Sequence, residues 1–243
     1  MIRYGVVLAG GNSTRMNTDK AELLLFGKSL LSLSIDLIIS MGLEPVIVTS
    51  SKDYDCNNDI RTVKDIYKGY GPLGGIHSAL KAINDTILVI ACDTPLLGEG
   101  ILQGLIEKQS DEYSVIHYKT GDYYEPLPGI YSPDITEALE NAFSKSNHIS
   151  CRSVFASLER GKWQILQRPM EYRSFFFNIN KPEDFDKIRN SDKPKISQKV
   201  TGLRIGLRDK VPIYEEIDDS IVNEIPIDVF LKGKKLNSNG ITR

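Results

Sequence analysis

A doubly wound α/β fold, with a mostly parallel sheet and helices on both faces, is what this sequence predicts. Three observations carry that reading. Short apolar runs rich in Val, Ile and Leu recur at residues 4–9, 45–49 and 87–91, without the polar alternation of a strand that faces water on one side. Segments with helical spacing lie between them, at 29–41 and 72–83. Strand–helix alternation of this kind pairs strands in parallel through right-handed crossovers.

The elements follow in order. The strand at 4–9 runs into Gly10-Gly11, which break it. The helix at 29–41 carries apolar residues on one face and meets a stop signal at Gly42. After the strand at 45–49, a shorter strand-like run at 60–64 leads to Asp65. The helix at 72–83 begins just beyond Gly71, with Pro72 at its first position. The strand at 87–91 closes on Cys92-Asp93-Thr94-Pro95, where the proline stops it. The middle third is less regular, with strands at 114–118 and 127–131 and a helix at 134–143. A closing helix is expected at 180–189, with Pro182 in its first turn.

Beyond that helix the composition changes. From Asp186 to Lys210 there are eight Lys or Arg against three Asp, a local net of +5, and few apolar residues. This suits a solvated linker better than a nucleic-acid patch. The division is therefore a domain over 1–190, a basic linker over 191–210 and an extension over 211–243. The extension holds a strand-like run within 221–231 and is too short to build much core of its own.

Composition narrows the function. The chain of 243 residues has 41% hydrophobic and 26% charged residues, ordinary globular usage. A formal net charge of −2 gives no pull toward DNA or RNA. The three cysteines, Cys56, Cys92 and Cys151, lack metal-ligand spacing and suit a reducing cytoplasm. No apolar run approaches the ~20 residues that cross a bilayer. The N-terminus runs straight into a strand, which leaves no room for a signal peptide.

The chemistry concentrates in a few places. In Val6-Val7-Leu8-Ala9-Gly10-Gly11-Asn12-Ser13-Thr14-Arg15-Met16-Asn17-Thr18-Asp19-Lys20, an apolar strand end gives way to glycines, polar residues and two cations. Glycines let backbone N–H groups close on an anion, and Arg15 and Lys20 add charge. Nucleotide phosphates and a plain structural turn are the two readings. The loop matches neither the dinucleotide fingerprint nor the Walker pattern. Asp93, at the end of a buried strand, belongs on the same sheet edge, because ligands sit at the carboxyl ends of parallel strands. There it is a natural Mg²⁺ ligand beside phosphates, or else a turn aspartate before Pro95. Asp65 precedes a glycine-dense stretch, Gly69 and Gly71-Pro72-Leu73-Gly74-Gly75, that lets the chain approach a flat ligand or simply starts a helix. His77 reads as a packed histidine, Cys92 as a packing residue, and His117 and His148 lack the partners of a zinc site. Asn178 and Asn180 share one face of an extended segment, Asn178 as a ligand contact and Asn180 as a helix cap.

In order, Leu8-Ala9-Gly10-Gly11-x-Ser13-x-Arg15-Met16 with Asp19-Lys20, Gly71-Pro72-Leu73-Gly74-Gly75, Cys92-Asp93-Thr94-Pro95 and Asn178-x-Asn180-x-Pro182-Glu183-Asp184 resemble the molybdenum cofactor guanylyltransferase (MobA) family over residues 1–190. The resemblance implies a Rossmann-like nucleotidyltransferase that moves GMP from GTP to molybdopterin, with Mg²⁺, and releases pyrophosphate. It implies nucleotide ligands at Leu8, Ala9, Gly10, Gly11, Lys20, Asp65 and Asp93, with Asp93 also on the metal, and by extension Gly71, Leu73 and Gly74. Arg15, Lys20 and Asp93 are the catalytic candidates, and Asn178 and Asn180 the candidates for the pterin substrate. Three positions depart from the family pattern. Thr49 stands where the second strand usually ends in asparagine, Asn17 stands where a glycine follows Arg-Met, and Glu125-Pro126 replaces a Gln-Pro pair.

Related cytidylyltransferases more often show Leu-Ala-Ala-Gly, so Gly11 favours GTP over CTP. A molybdopterin cytidylyltransferase or another small-molecule nucleotidyltransferase is the first alternative, and a non-catalytic molybdopterin carrier or FdhD-linked maturation protein the second. Residues 219–233, from Asp219-Ser220-Ile221-Val222-Asn223-Glu224 to Gly233, resemble the beginning of FdhD, a sulfur-carrying maturation protein of formate dehydrogenase, without its cysteine-bearing loop. That resemblance implies a docking element or shortened fusion, with a molybdoenzyme or a maturation protein as partner.

Overall fold

The computed structural model describes residues 1–9, 19–25, 27–50, 52, 54, 60–146, 149–168, 170–189, 204–208 and 211–215. In chain order the strands are β1 (Tyr4–Leu8), β2 (Leu24–Leu25), β3 (Lys28–Ser29), β4 (Glu44–Thr49), β5 (Arg61–Lys64), β6 (Ile87–Ala91), β7 (Val115–Thr120), β8 (Tyr123–Tyr131), β9 (Trp163–Gln167), β10 (Arg204–Arg208) and β11 (Val211–Glu215). The helices are α1 (Leu30–Ser40), α2 (Pro72–Ile83), α3 (Glu99–Ile106), α4 (Thr136–Lys145), α5 (Cys151–Phe155) and α6 (Pro182–Arg189), with 3-10 turns at Lys20–Glu22, Pro133–Ile135 and Met170–Phe176.

Seven strands form one sheet in the order β5-β4-β1-β6-β8-β7-β9. Pairings β4–β5, β1–β4, β1–β6 and β7–β9 are parallel, and β8 alone runs against its neighbours β6 and β7. Alternating side chains of the central strands divide between two apolar layers. Val7, Ile47, Leu88 and Ile90 meet Ile35 and Ile38 of α1 and Ile101, Leu102 and Leu105 of α3. Val6, Leu8, Val46, Val48 and Val89 meet Leu73, Ile76 and Leu80 of α2 and Leu139 and Phe143 of α4. Burial on both faces is why these strands lack polar alternation. A third, smaller group joins α6 through Ile188, together with Ile179, to Leu25, Leu30 and Leu33.

Helix ends follow local chemistry. Ser29 caps α1 by accepting the Ser32 N–H at 3.0 Å. Pro72 opens α2, and Asn84 ends it in the left-handed region at φ 53°. Helix α1 lies so close to β1 that a Cβ on Gly5 would come within 2.4 Å of Ile38 Cγ2.

Several expectations need correction. The strand foreseen at 127–131 extends back to Tyr123. Pro126 and Pro128 mask it, since proline belongs at bulges or edges of sheets. Here the β7–β8 register shifts between His117 and Tyr118, opposite that stretch, so the prolines fall where the ladder is already interrupted. The helix foreseen at 134–143 splits into a 3-10 turn and α4. The expected linker contains a strand: β10 and β11 form an antiparallel hairpin that pairs Arg204 with Glu215 and Arg208 with Val211. The charge count hid the alternation in Arg-Ile-Gly-Leu-Arg and Val-Pro-Ile-Tyr-Glu. The strand-like run and FdhD-like segment beyond 215 lie outside the described residues.

Candidate active site

The parallel register carries β1 and β6 to the same edge. Leu8 pairs with Ala91, and Cys92 N–H donates to Leu8 O at 3.2 Å. Asp93 thus emerges beside the end of β1, where the chain enters Gly10-Gly11. Gly10, Gly11 and Arg15 lie outside the described residues. Both flanks are described. Ala9 N–H donates to Val48 O at 2.8 Å, and Asp19 starts the 3-10 turn by accepting Ala21 N–H at 3.0 Å.

That turn delivers Lys20. Its Nζ lies 3.2 Å from Asp93 Oδ2 and donates to Asn180 Oδ1 at 3.3 Å, with the two charged side chains 18% and 25% exposed. Ile179 N–H donates to Asp93 O at 2.9 Å, which seats the 177–180 segment against the end of β6. Three distant parts of the chain therefore converge on one cation. Asn180 is not a simple helix cap, because its side-chain oxygen accepts a hydrogen bond from the Lys20 ammonium. Asp184, in the first turn of α6, accepts the Asn180 backbone N–H at 3.2 Å instead. Asn178 is exposed on the same extended segment.

Asp65 sits at the end of β5, its N–H donating to Thr49 O at 2.8 Å. Its Oδ1 accepts the Tyr67 N–H and lies 3.1 Å from the Ser78 hydroxyl. Burial raises its carboxyl above the ordinary carboxylate range, and these hydrogen bonds offset only part of the rise. Gly71 precedes α2 at φ 57°. Gly74 faces Asp65 so closely that a Cβ would meet Tyr67 O at 2.3 Å and Asp65 Oδ1 at 3.1 Å. Leu73 is buried in the core.

Sequence reasoning missed Tyr54 and Lys52. Tyr54 OH lies 2.9 Å from both Ala9 O and Asp19 Oδ2, and Lys52 Nζ is 2.5 Å from Glu22 Oε2 and 3.5 Å from Asp19 Oδ2. Neither has a motif around it; only the meeting of distant segments exposes the role. Cys92, His77 and His117 are buried. Burial pushes the Cys92 thiol up to about 12. His77 is buried with Nε2 2.9 Å from Glu140, and His117 Nε2 accepts the Trp163 indole N–H at 2.7 Å. His148 lies outside the described residues.

Residues 5–161 match the family model for the MobA-like NTP transferase domain. The chain belongs to the MobA-like NTP transferase family. Among curated relatives of this nucleotidyltransferase, the probable molybdenum cofactor guanylyltransferase of Natranaerobius thermophilus is 33% identical over 193 residues, covering 76% of this chain and 93% of the relative. That of Opitutus terrae is 31% identical over 190 residues, covering 76% and 94%. The crystal structure of molybdopterin-guanine dinucleotide biosynthesis protein A from Archaeoglobus fulgidus has the same fold, with a TM-score of 0.65 at 24% identity over 76% of this chain and 96% of that one.

Two departures of this MobA-like chain have a local account. Thr49 is buried, and its hydroxyl donates to Lys52 O at 2.7 Å, holding the next segment rather than facing outward. Glu125 Oε1 lies 3.8 Å from the buried Arg168 guanidinium, a charge partner that a glutamine would not need. The third, Asn17, lies outside the described residues. No group of three or more His, Cys, Asp or Glu side chains is placed to hold a metal ion among the described residues. One partly exposed carboxylate fits Mg²⁺, which takes one or two carboxylates and fills its shell from phosphates and water. No helix among the described residues is long and apolar enough to cross a membrane.

Proposed function

We propose that this MobA-like chain is a molybdenum cofactor guanylyltransferase, transferring GMP from GTP to molybdopterin, with or without molybdenum, to give the guanine dinucleotide cofactor and pyrophosphate. The observation that carries the reading is the convergence of Lys20, Asp93 and Asn180 at the strand end that leads into Gly10-Gly11. Curated relatives of that activity, aligned over nine-tenths of their length, support it.

A phosphate oxygen of the pterin attacks the α-phosphorus of GTP, and the bond from that phosphorus to the departing pyrophosphate oxygen breaks. The nucleophile is already anionic and needs no strong base. The obstacle is bringing two anions together, so catalysis consists of positioning and charge neutralisation. We assign Lys20 to the α-phosphate, where Asp93 and Asn180 fix its ammonium. Arg15 takes the β- and γ-phosphates, and backbone N–H groups from Gly10 onward hold the pyrophosphate. Leu8, Ala9, Gly11, Asp65, Gly71, Leu73 and Gly74 line the nucleotide side, and Asn178 and Asn180 the pterin side. Asp93 would hold Mg²⁺, which when bound supplies positive charge to the phosphate oxygens. The free thiols Cys92 and Cys151 fit a reducing cytoplasm. The tail resembling FdhD makes a molybdoenzyme or its maturation protein the partner that receives the product.

The test is incubation with molybdopterin, GTP and Mg²⁺, followed by mass analysis of the pterin. A GMP adduct with one pyrophosphate per turnover is expected. A CMP adduct formed faster from CTP makes it a cytidylyltransferase. Pterin binding without pyrophosphate release makes it a carrier.

A further inference from the structure

We propose that Ser78 is a positioning residue: its buried hydroxyl holds the Asp65 carboxylate by Oδ1 and leaves Oδ2 for a hydrogen-bond donor of the nucleotide. The part about the nucleotide rests on the function proposed above. Ser78 lies on α2, one turn after Gly74, and is fully buried. Its hydroxyl oxygen accepts the Ile66 N–H at 2.8 Å and so pins the turn that follows Asp65. The single hydroxyl proton has two acceptors in reach, Gly74 O at 2.8 Å and Asp65 Oδ1 at 3.1 Å. Gly74 O already receives the Ser78 N–H as part of the helix, whereas an ionised carboxylate is the stronger acceptor, so the proton serves Asp65. Tyr67 N–H reaches the same Oδ1 at 3.1 Å, and Oδ2 takes no hydrogen bond among the described residues. The glycine one turn earlier permits this approach, because a Cβ at Gly74 would lie 2.3 Å from Tyr67 O. Burial raises the Asp65 carboxyl, and the Ser78 hydroxyl is the largest influence that lowers it. The other charged or titratable groups acting on Asp65 are Lys68 on its own turn and His77 beside Ser78 on α2, and both also favour the ionised form. His77 in turn faces Glu140 of α4 at 2.9 Å.

Two variants of the full chain separate hydrogen bonding from packing. Ser78→Ala removes the hydroxyl, and Ser78→Cys keeps a similar volume with only a weak donor. In nucleotide-free protein, the Asp65 carboxyl titration followed by NMR should move up by about half a pH unit or more in both, because the ionised form loses a donor. With Mg²⁺ near pH 7, the dissociation constant and KM for GTP should rise about fivefold or more, the size of one weakened hydrogen bond to a charged group. KM for molybdopterin should stay within about twofold, because only the nucleotide contact has loosened. In an Asp65→Ala background, Ser78→Ala should bring no further loss of GTP affinity. An Asp65 titration or a GTP affinity left unchanged in both variants overturns the assignment. So does a parallel loss of affinity for both substrates with a lowered Tm in Ser78→Cys, which marks a general packing role. A wild-type chain that binds no GTP overturns the guanylyltransferase reading instead, and the Asp65 titration then decides by itself whether Ser78 positions the carboxylate.

Discussion

Lys20 and Asp93 form a partly exposed ion pair beside the end of β1. Both are partly exposed, at 18% and 25%, and a pair of that kind contributes little to stability. If instead Lys20 meets developing charge on phosphate, its loss falls on the transition state. Lys20→Ala and Asp93→Ala should each lower kcat about 100-fold or more, with a Tm change of only a degree or two, measured by pyrophosphate release and calorimetry. Near-normal turnover in both variants removes the assignment. Asp65 makes a contrasting case. Burial raises its pKa, so the folded state keeps this proton to a higher pH than the unfolded chain does. Its stabilising contribution is present below the ordinary value of about 3.9 and is lost as pH rises through the raised one, leaving a cost at neutral pH. Asp65→Asn should therefore hold or raise Tm at pH 7 and flatten its fall as pH rises above about 4, while GTP turnover drops at least about tenfold. A variant less stable than wild type at pH 7, or equally active, would contradict a carboxylate kept for its charge. The placement of Asp65 and Asp93 was legible because strand ends are encoded locally, and that of Lys20 because a cation closing a glycine-rich stretch is a local pattern. Tyr54 was not, because its partners are chain-distant. Asn180 kept two readings in the sequence, because an Asn two residues before Pro182 is also a strong local cap signal.

The elements that position the site are those with the clearest local code. Strands buried on both faces, a serine-capped α1 and a proline-opened α2 announce themselves by pattern, and they bring β1, β4, β5 and β6 to one edge. The second half was harder to read. The prolines of β8 argue against a strand, and only pairing with β7 shows that they fall at a bulge. Helices α3 and α5 and strand β9 are short, and tertiary packing rather than propensity defines them. Tight contact between elements also makes a prediction. With Gly5 Cβ space filled by Ile38 Cγ2 at 2.4 Å and Cδ1 at 2.6 Å, any side chain at Gly5 must push α1 off β1. Ile38 is fully buried. Gly5→Ala should cost about 1–3 kcal/mol, lowering Tm by on the order of 5 °C. Because β1 leads directly into the nucleotide stretch, kcat/KM for GTP should fall with it. A Gly5→Ala protein as stable as wild type would mean that α1 and β1 separate without penalty.

At the scale of the whole molecule, the catalytic unit should end near residue 190. The seven-stranded sheet and both of its apolar layers are complete before that point. Helix α6 closes the unit through Ile188, which joins Ile179 against Leu25, Leu30 and Leu33, and so holds Asn180 beside Lys20. Curated relatives matched over 93–94% of their length align with only 76% of this chain, so the activity they carry requires no more than that share. The β10–β11 hairpin adds a local pairing, and two strands alone bury too little to stand as a stable unit. Two truncations separate the contributions. A chain ending at 195 should keep kcat for GMP transfer within about twofold and Tm within a few degrees, because neither the core nor the site is touched. One ending at 178 removes Ile179, Asn180 and α6 together. It should lose several degrees of Tm and at least about 100-fold in kcat, since Lys20 loses a partner while buried Leu25 and Leu30 lose their cover. If the 195-residue chain loses turnover as badly as the 178-residue one, the extension belongs to the catalytic unit and the boundary near 190 is wrong. If it retains turnover but no longer delivers product to a molybdoenzyme that the full chain supplies, the tail is the docking element that its resemblance to FdhD implies.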